Sequence, residues 1–197
     1  MGELNSFAQS FSPLQQLNPA LTGSNINWNY NMGYRFEVSA DGDITALGGK
    51  WTTGITHTVR LFAYPAGTQL ASINVTGDGN WKYANLGTAV SVTQGSQYVV
   101  AVRLNSQSSG QYSNTVNFPY SYGGIEILGT AFLRASNAMP TNLNLTNSYG
   151  QADVIFQPCA YAGSLSANKT SVIPGGSATL TVSNFTGSIK WQESTVI

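Results

Sequence analysis

The chain has 197 residues, enough for one domain of ordinary size plus something smaller. Charged side chains make up 8% of it, with eight Lys plus Arg against eight Asp plus Glu, so Ser, Thr, Asn, Gln and Gly must cover the surface. Without clustered cations there is nothing to hold nucleic-acid phosphates, and without a long apolar run there is nothing to insert into a membrane. A hydrophobic share of 42% and an aromatic share of 11% can offset chain entropy, which argues for a folded chain over a disordered one.

Apolar residues alternate with period two, and no window sustains the 3.6 period of a helix over three turns. Tyr34, Phe36 and Val38 share one face of the first clear strand. Asp41-Gly42 has the chemistry of a tight reversal, and Ile44 to Trp51 reads as the returning strand of a hairpin. His57 to Tyr64 alternates again and is closed by Pro65-Ala66-Gly67, after which Leu70 to Val75 is the next strand. Gly77-Asp78-Gly79-Asn80 supplies a hairpin or bulged loop before a strand starting at Trp81. Val90 to Val92 and Gln97 to Leu104 follow, and Tyr98, Val100, Val102 and Leu104 form the most continuous apolar face, a central core strand. Gly124 to Leu133 and Ala152 to Gln157 are two more strands, separated by an Asn-rich loop at 137–151.

Evenly spaced strands without crossover helices predict an all-β fold, an antiparallel, jelly-roll-like β-sandwich. Pro158 ends its last strand, which gives a sandwich domain at 1–158 and a second unit at 159–197. In that second unit Lys169 to Ile173, Ser177 to Val182 and Ile189 to Gln192 read as strands, too few residues to close a core, so the unit is a truncated β domain.

Catalytic chemistry finds few hosts. His57 is the one histidine and lies in phase with Val59 and Leu61, so a structural or edge place suits it better than a triad. Cys159, the one cysteine, sits in a linker without basic neighbours, and no disulfide can form within the chain. Asp41 and Asp43 flank a turn glycine, ordinary hairpin chemistry, yet they are also the candidate oxygen ligands for Ca²⁺, with Asp78 or Asp153 as further donors. No other cofactor is expected. Aromatic rings among amides suit the C–H faces and hydroxyls of sugars. Trp28 and Tyr30, interleaved with Asn27, Asn29 and Asn31, form one such cluster, with ordinary packing as the alternative. Tyr120 and Tyr122, in a segment that resembles a loop, form the more exposed pair.

The order Gly33-Tyr34-Arg35-Phe36, Gly42-Asp43-Ile44-Thr45-Ala46-Leu47, His57-Thr58-Val59-Arg60-Leu61, Asn80-Trp81, Val92-Thr93-Gln94-Gly95, Tyr98-Val99-Val100 and Ala152-Asp153-Val154-Ile155-Phe156 resembles the bacterial Domain of Unknown Function 4082 family, over roughly residues 28–158. That resemblance implies a β-sandwich module of large exported bacterial proteins, beside immunoglobulin-like, carbohydrate-associated or adhesion domains, and no established activity. The tail, through Pro174-Gly175-Gly176 and Ile189-Lys190-Trp191-Gln192, resembles the opening of immunoglobulin-like repeats in cell-surface proteins of the Bacteroidetes type, with Trp191 as its core tryptophan. The expectation is a non-catalytic recognition or adhesion module, extracellular or on the bacterial surface, with a glycan or another surface protein as partner and flanking domains of the same polypeptide beside it. The alternatives are a structural spacer or assembly domain and, behind these, a hydrolase or glycoside hydrolase accessory.

Overall fold

Alternating side chains can bury one face of a strand only if a second layer covers it, and this chain supplies that layer by sending successive strands to different sheets. The structure is a computed structural model, and it describes residues 9–25, 28–105, 110–113, 115–159, 164–168 and 176–183. A single-turn helix, α1 (Pro13–Leu17), and strand β1 (Gly23–Asn25) precede β2 (Tyr30–Val38), β3 (Gly42–Lys50), β4 (Thr56–Tyr64), β5 (Gln69–Thr76), β6 (Trp81–Val92) and β7 (Gln97–Leu104). Then come β8 (Gly110–Ser113), β9 (Tyr120–Tyr122), β10 (Ile125–Arg134), β11 (Asn142–Asn144), β12 (Ser148–Tyr149) and β13 (Ala152–Pro158), followed by β14 (Ser164–Ala167) and β15 (Leu180–Ser183). Ser10–Gln157 form one compact unit, and β14 and β15, paired antiparallel, belong to a second.

The fold is an all-β sandwich. A seven-stranded sheet in the order β11-β10-β2-β7-β4-β5, with β9 also on β10, packs against a three-stranded sheet β13-β3-β6, and β1-β8-β12 form a small third sheet. Between the two larger sheets lie Tyr34, Phe36 and Val38 of β2, Val59 and Leu61 of β4, Val100, Val102 and Leu104 of β7, and Ile125 and Ile127 of β10. Facing them are Ile44 and Leu47 of β3 and Val154 and Phe156 of β13. The predicted central strand is β7, flanked on both sides by β2 and β4.

The Asp41-Gly42 reversal is not a hairpin. β2 pairs with β7 and β10, whereas β3 pairs with β6 and carries its neighbours in the other sheet. Both strands are apolar on alternate positions, and burying both faces against each other places them across the core rather than side by side. Gly42 suits the crossing because a Cβ there would meet the Phe156 ring and the Gln157 carbonyl, each at 2.5 Å. The same holds at Gly77, between β5 and β6, where a Cβ would lie 2.6 Å from the Thr52 carbonyl oxygen. Pro65-Ala66-Gly67 does close a true hairpin, β4 on β5.

Other expectations shift as well. The Asn-rich loop at 137–151 contains the short strands β11 and β12. The predicted Ser177 to Val182 strand starts later and ends one residue further on, as Leu180–Ser183, and its partner is Ser164–Ala167. The predicted strands at 169–173 and 189–192, with Trp191, lie outside the described residues.

Helix α1 escapes periodicity because it is one turn long, and a buried carboxylate holds it. Asp153 is 0% exposed. Its Oδ1 accepts from Tyr34 Oη at 2.6 Å, from the Val154 backbone N–H at 2.9 Å and from the Leu14 N–H at 3.3 Å. Its Oδ2 accepts from Tyr83 Oη at 2.8 Å and the Gln15 N–H at 2.9 Å. One side chain thus ties α1, β2, β6 and β13. Burial pushes its pKa up, and hydrogen bonds from Tyr34, Gln15, Tyr83 and Val154 oppose that push without cancelling it. Tyr34 is raised well above its ordinary value by burial first and then by Asp153.

Each buried donor left without an acceptor costs about 1–3 kcal/mol, so Asp153→Ala is expected to lower unfolding free energy by about 3–5 kcal/mol in urea titration. A carboxyl with a raised folded-state pKa contributes stability that is full below its unfolded pKa and is lost as pH rises through the folded value. The difference in stability between wild type and Asp153→Asn should therefore shrink as pH rises across that window, read from urea melts at a series of pH values.

Candidate functional site

Tyr122-Gly123-Gly124-Ile125 is a two-residue hairpin. Ile125 pairs with Tyr122, and both glycines hold positive φ angles, +59° and +88°, as such reversals require. The Phe118 to Gly124 segment, expected as a loop, is therefore largely strand β9 and its turn, because the Tyr-Ser-Tyr alternation pairs with Ile-Glu-Ile on β10. Tyr120 and Tyr122 stand opposite Ile127 and Ile125, on the core side of the sheet, and are half-buried instead of exposed. Tyr120 packs against the core, and its pKa is pushed up by burial and then by Tyr122.

Tyr122 stays at the rim. Its ring meets Phe11 edge-on, 5.5 Å between centroids at 84°, and Phe11 is itself fixed by paired backbone hydrogen bonds to Phe156, both 2.8 Å. Phe11 covers Gly123, where any Cβ would run into its ring. The Ser39 N–H donates to the Gly124 carbonyl at 2.9 Å, bringing the end of β2 alongside the turn. Together Ser39, Ser121, Tyr122, Gly123, Gly124, Ile125 and Glu126 line an open cleft of about 400 Å³. That volume lies within the usual range for small-ligand sites, and its hydroxyls and carboxylate can hydrogen-bond one sugar unit, with the rim of the Tyr122 ring as an apolar contact.

Carboxylates gather next to this cleft. Glu126 is directly opposite Glu37 on β2, and Glu37 Oε2 accepts from Gln97 Nε2 at 3.1 Å. Like charges opposed across a strand pair cost stability. The two stand side by side on one sheet surface, so they do not flank a bond from two sides as paired-carboxylate hydrolysis requires. His57 is 2% exposed with its ring 5.2 Å from Trp51, and burial lowers its pKa, which keeps it neutral in the core.

The other predicted site residues fall elsewhere. The Trp28 ring lies 5.5 Å from Tyr112 and 5.9 Å from Tyr149, edge-on to the latter, and Tyr30 opens β2 on its core side. Both rings are half-buried against the core, so this cluster closes one part of the sandwich and is not brought together with Tyr120 and Tyr122. Asp41 Oδ1 accepts from the Gln94 N–H at 2.7 Å, and Asp43 Oδ1 accepts from Ser91 Oγ at 2.8 Å. Their suggested co-ligands are engaged elsewhere, Asp153 in the core and Asp78 with Lys82 at 3.7 Å. Among the described residues no three His, Cys, Asp or Glu side chains group as metal ligands.

Sequence reasoning passed over Phe11, Ser39 and Glu126. The Gly-Gly pair between two alternating segments was the signal that could have placed Glu126 at a hairpin.

The model of the family described as a domain of unknown function, DUF4082, matches residues 16–151. The chain belongs to the DUF4082 family. The match begins within α1, earlier than the resemblance suggested, and stops just short of β13, so Asp153 lies outside it. No curated protein matches the chain.

Gly123→Ala puts a side chain at positive φ and against Phe11. It is expected to destabilise the domain by about 2 kcal/mol or more, through strain and displaced packing, and to widen the cleft. Thermal melts monitored by circular dichroism check the first effect.

Proposed function

We propose that this DUF4082 domain is a recognition module of a larger exported bacterial protein, acting outside the cell without catalysis, with carbohydrate as its ligand class. The observation that carries the reading is the open cleft at the Tyr122–Glu126 hairpin, where the Tyr122 ring, pinned by Phe11, stands at the rim on the core side and Ser121 and Glu126 line the cleft from the outer face. Rings held in place lose little entropy on stacking, and hydroxyl and carboxylate oxygens are the usual partners of sugar hydroxyls. The sparse charge of the chain supports a setting where neutral polar surface is common, and the burial of His57, the one histidine, supports a reading without catalysis. In this reading β14 and β15 begin an immunoglobulin-like neighbour in the same polypeptide.

On a glycan array the chain is expected to bind a defined subset of polysaccharides. Tyr122→Ala and Glu126→Gln should each weaken binding at least tenfold, with melting curves to confirm that each variant is folded at the assay temperature. A chain that binds no glycan at any concentration tested, or mutants that bind as wild type does, would sink the reading.

A further inference from the structure

The chain has four arginines, and three of them, at positions 35, 60 and 103, meet on one surface. Their strands β2, β4 and β7 are neighbours in the order β2-β7-β4. Each arginine is bracketed by residues that point into the sandwich: Tyr34 and Phe36, Val59 and Leu61, Val102 and Leu104. The three side chains therefore leave the sheet on its outer face. Arg60 is in register with Ala101 on β7, and Arg103 lies two residues along, which makes them diagonal neighbours about 7–8 Å apart or a little less. Burial, and after it the charge of Arg103, pull Arg60 below its ordinary value.

Among the described residues none of these cations has a salt-bridge partner, and the one salt bridge joins Lys82 and Asp78. Arg60 Nη1 and Arg35 Nε are shut from solvent with no acceptor among those residues. Arg35 rests on the Tyr64 ring, 4.6 Å from its centroid, and Arg103 donates to the Leu104 carbonyl and to Asn29. The acids of this surface, Glu37 and Glu126, lie at the far end. Glu37 is four residues from Gly33, the β2 partner of Ala101, about 13 Å of strand. Around Arg60 no acid is near: exposed Ser72 stands opposite it on β5 and Thr58 Oγ1 donates to Asn74 at 2.8 Å, while the buried Ala101 on β7 and Phe62 two residues on belong to a second apolar cluster on this face.

We propose that Arg60 and Arg103 form an anion site for carboxylate groups carried on a hydroxyl-rich polymer, a uronic-acid polysaccharide. A guanidinium fork matches a planar carboxylate, Arg60 keeps a donor without an acceptor among the described residues, Arg103 adds its charge from the diagonal position, and the Ser, Thr and Asn rim suits the hydroxyls of the sugar ring. Nucleic acid fits poorly, because two or three cations fall short of the several phosphate contacts its binding needs, and Lys50 and Lys82 belong to the other sheet. The site stands apart from the Tyr122 cleft and does not depend on that cleft binding sugar.

Affinity electrophoresis and calorimetry with the full chain test it, using polygalacturonate, neutral dextran and dextran sulfate. The expected result is binding to polygalacturonate that 0.5 M NaCl (about a 4 Å screening length) abolishes, and none to dextran. Arg60→Gln, which removes a guanidinium whose Nη1 has no acceptor among the described residues, should weaken binding at least fivefold. Ser72→Asp, which keeps Arg60 and places a carboxylate opposite it at an exposed position, should do the same, and Lys82→Gln should leave binding unchanged. Melting curves confirm that the variants fold. The proposal is overturned if polygalacturonate does not bind, if dextran binds equally, if only the sulfated polymer binds, or if folded Arg60→Gln and Ser72→Asp both bind as wild type does.

Discussion

A carboxylate with no route to water organises this sandwich. Asp153 stands on β13, yet its two oxygens gather donors from α1, β2, β6 and its own strand. The five donors belong to both sheets and to the helix, so the carboxylate fixes how these layers sit. Hydrophobic burial between the sheets is larger in total but has no direction, and it would tolerate sliding. Hydrogen bonds to a buried acid tolerate none, since each donor that strays is left without an acceptor. The Phe11 bridge to Phe156 runs from the same strand three residues on, and Phe11 in turn holds Gly123 and Tyr122. The cleft is thus placed by the strand that carries Asp153.

Much of the fold was legible from the alternation of apolar residues. β2, β7, β10 and β13 appear where Tyr34-Phe36-Val38, Tyr98-Val100-Val102-Leu104, Ile125-Ile127 and Ala152-Val154-Phe156 put them. Which strands pair was not legible, because alternation specifies a buried face and says nothing about the neighbour in the sheet. An Asp-Gly step serves a hairpin or a crossing between layers equally well, and only packing of Gly42 against Phe156 decides. α1 left no periodicity because it is a single turn; Ser12-Pro13 with Gln15 and the left-handed Asn18 were its only local signals, and the carboxylate that holds it is 138 or more residues away.

The candidate sites divide in the same way. Tyr122 was visible as an aromatic next to glycines, whereas Glu126 and Ser39 join it only through the pairing of β9 with β10 and the crossing after β2. Low overall charge correctly describes the composition but misses its distribution. Arg35, Arg60 and Arg103 are separated by at least 25 positions in sequence, and a sheet of order β2-β7-β4 makes them a local positive field on an uncharged background. Counting charges along a chain cannot detect what strand order assembles.

The crossings between layers also set the timetable by which the chain can fold. β2 has no partner among the strands that directly follow it. Its neighbours are β7, whose Val99 faces Arg35, and β10, whose Ile127 faces Phe36. A segment emerging from a ribosome or a secretion channel would hold Tyr34 and Phe36 unpaired until some 60 further residues had followed. Closing such long loops before any contact rewards them makes nucleation slow. The first half of the chain therefore stays open until the second half arrives, and the sandwich closes late and all at once.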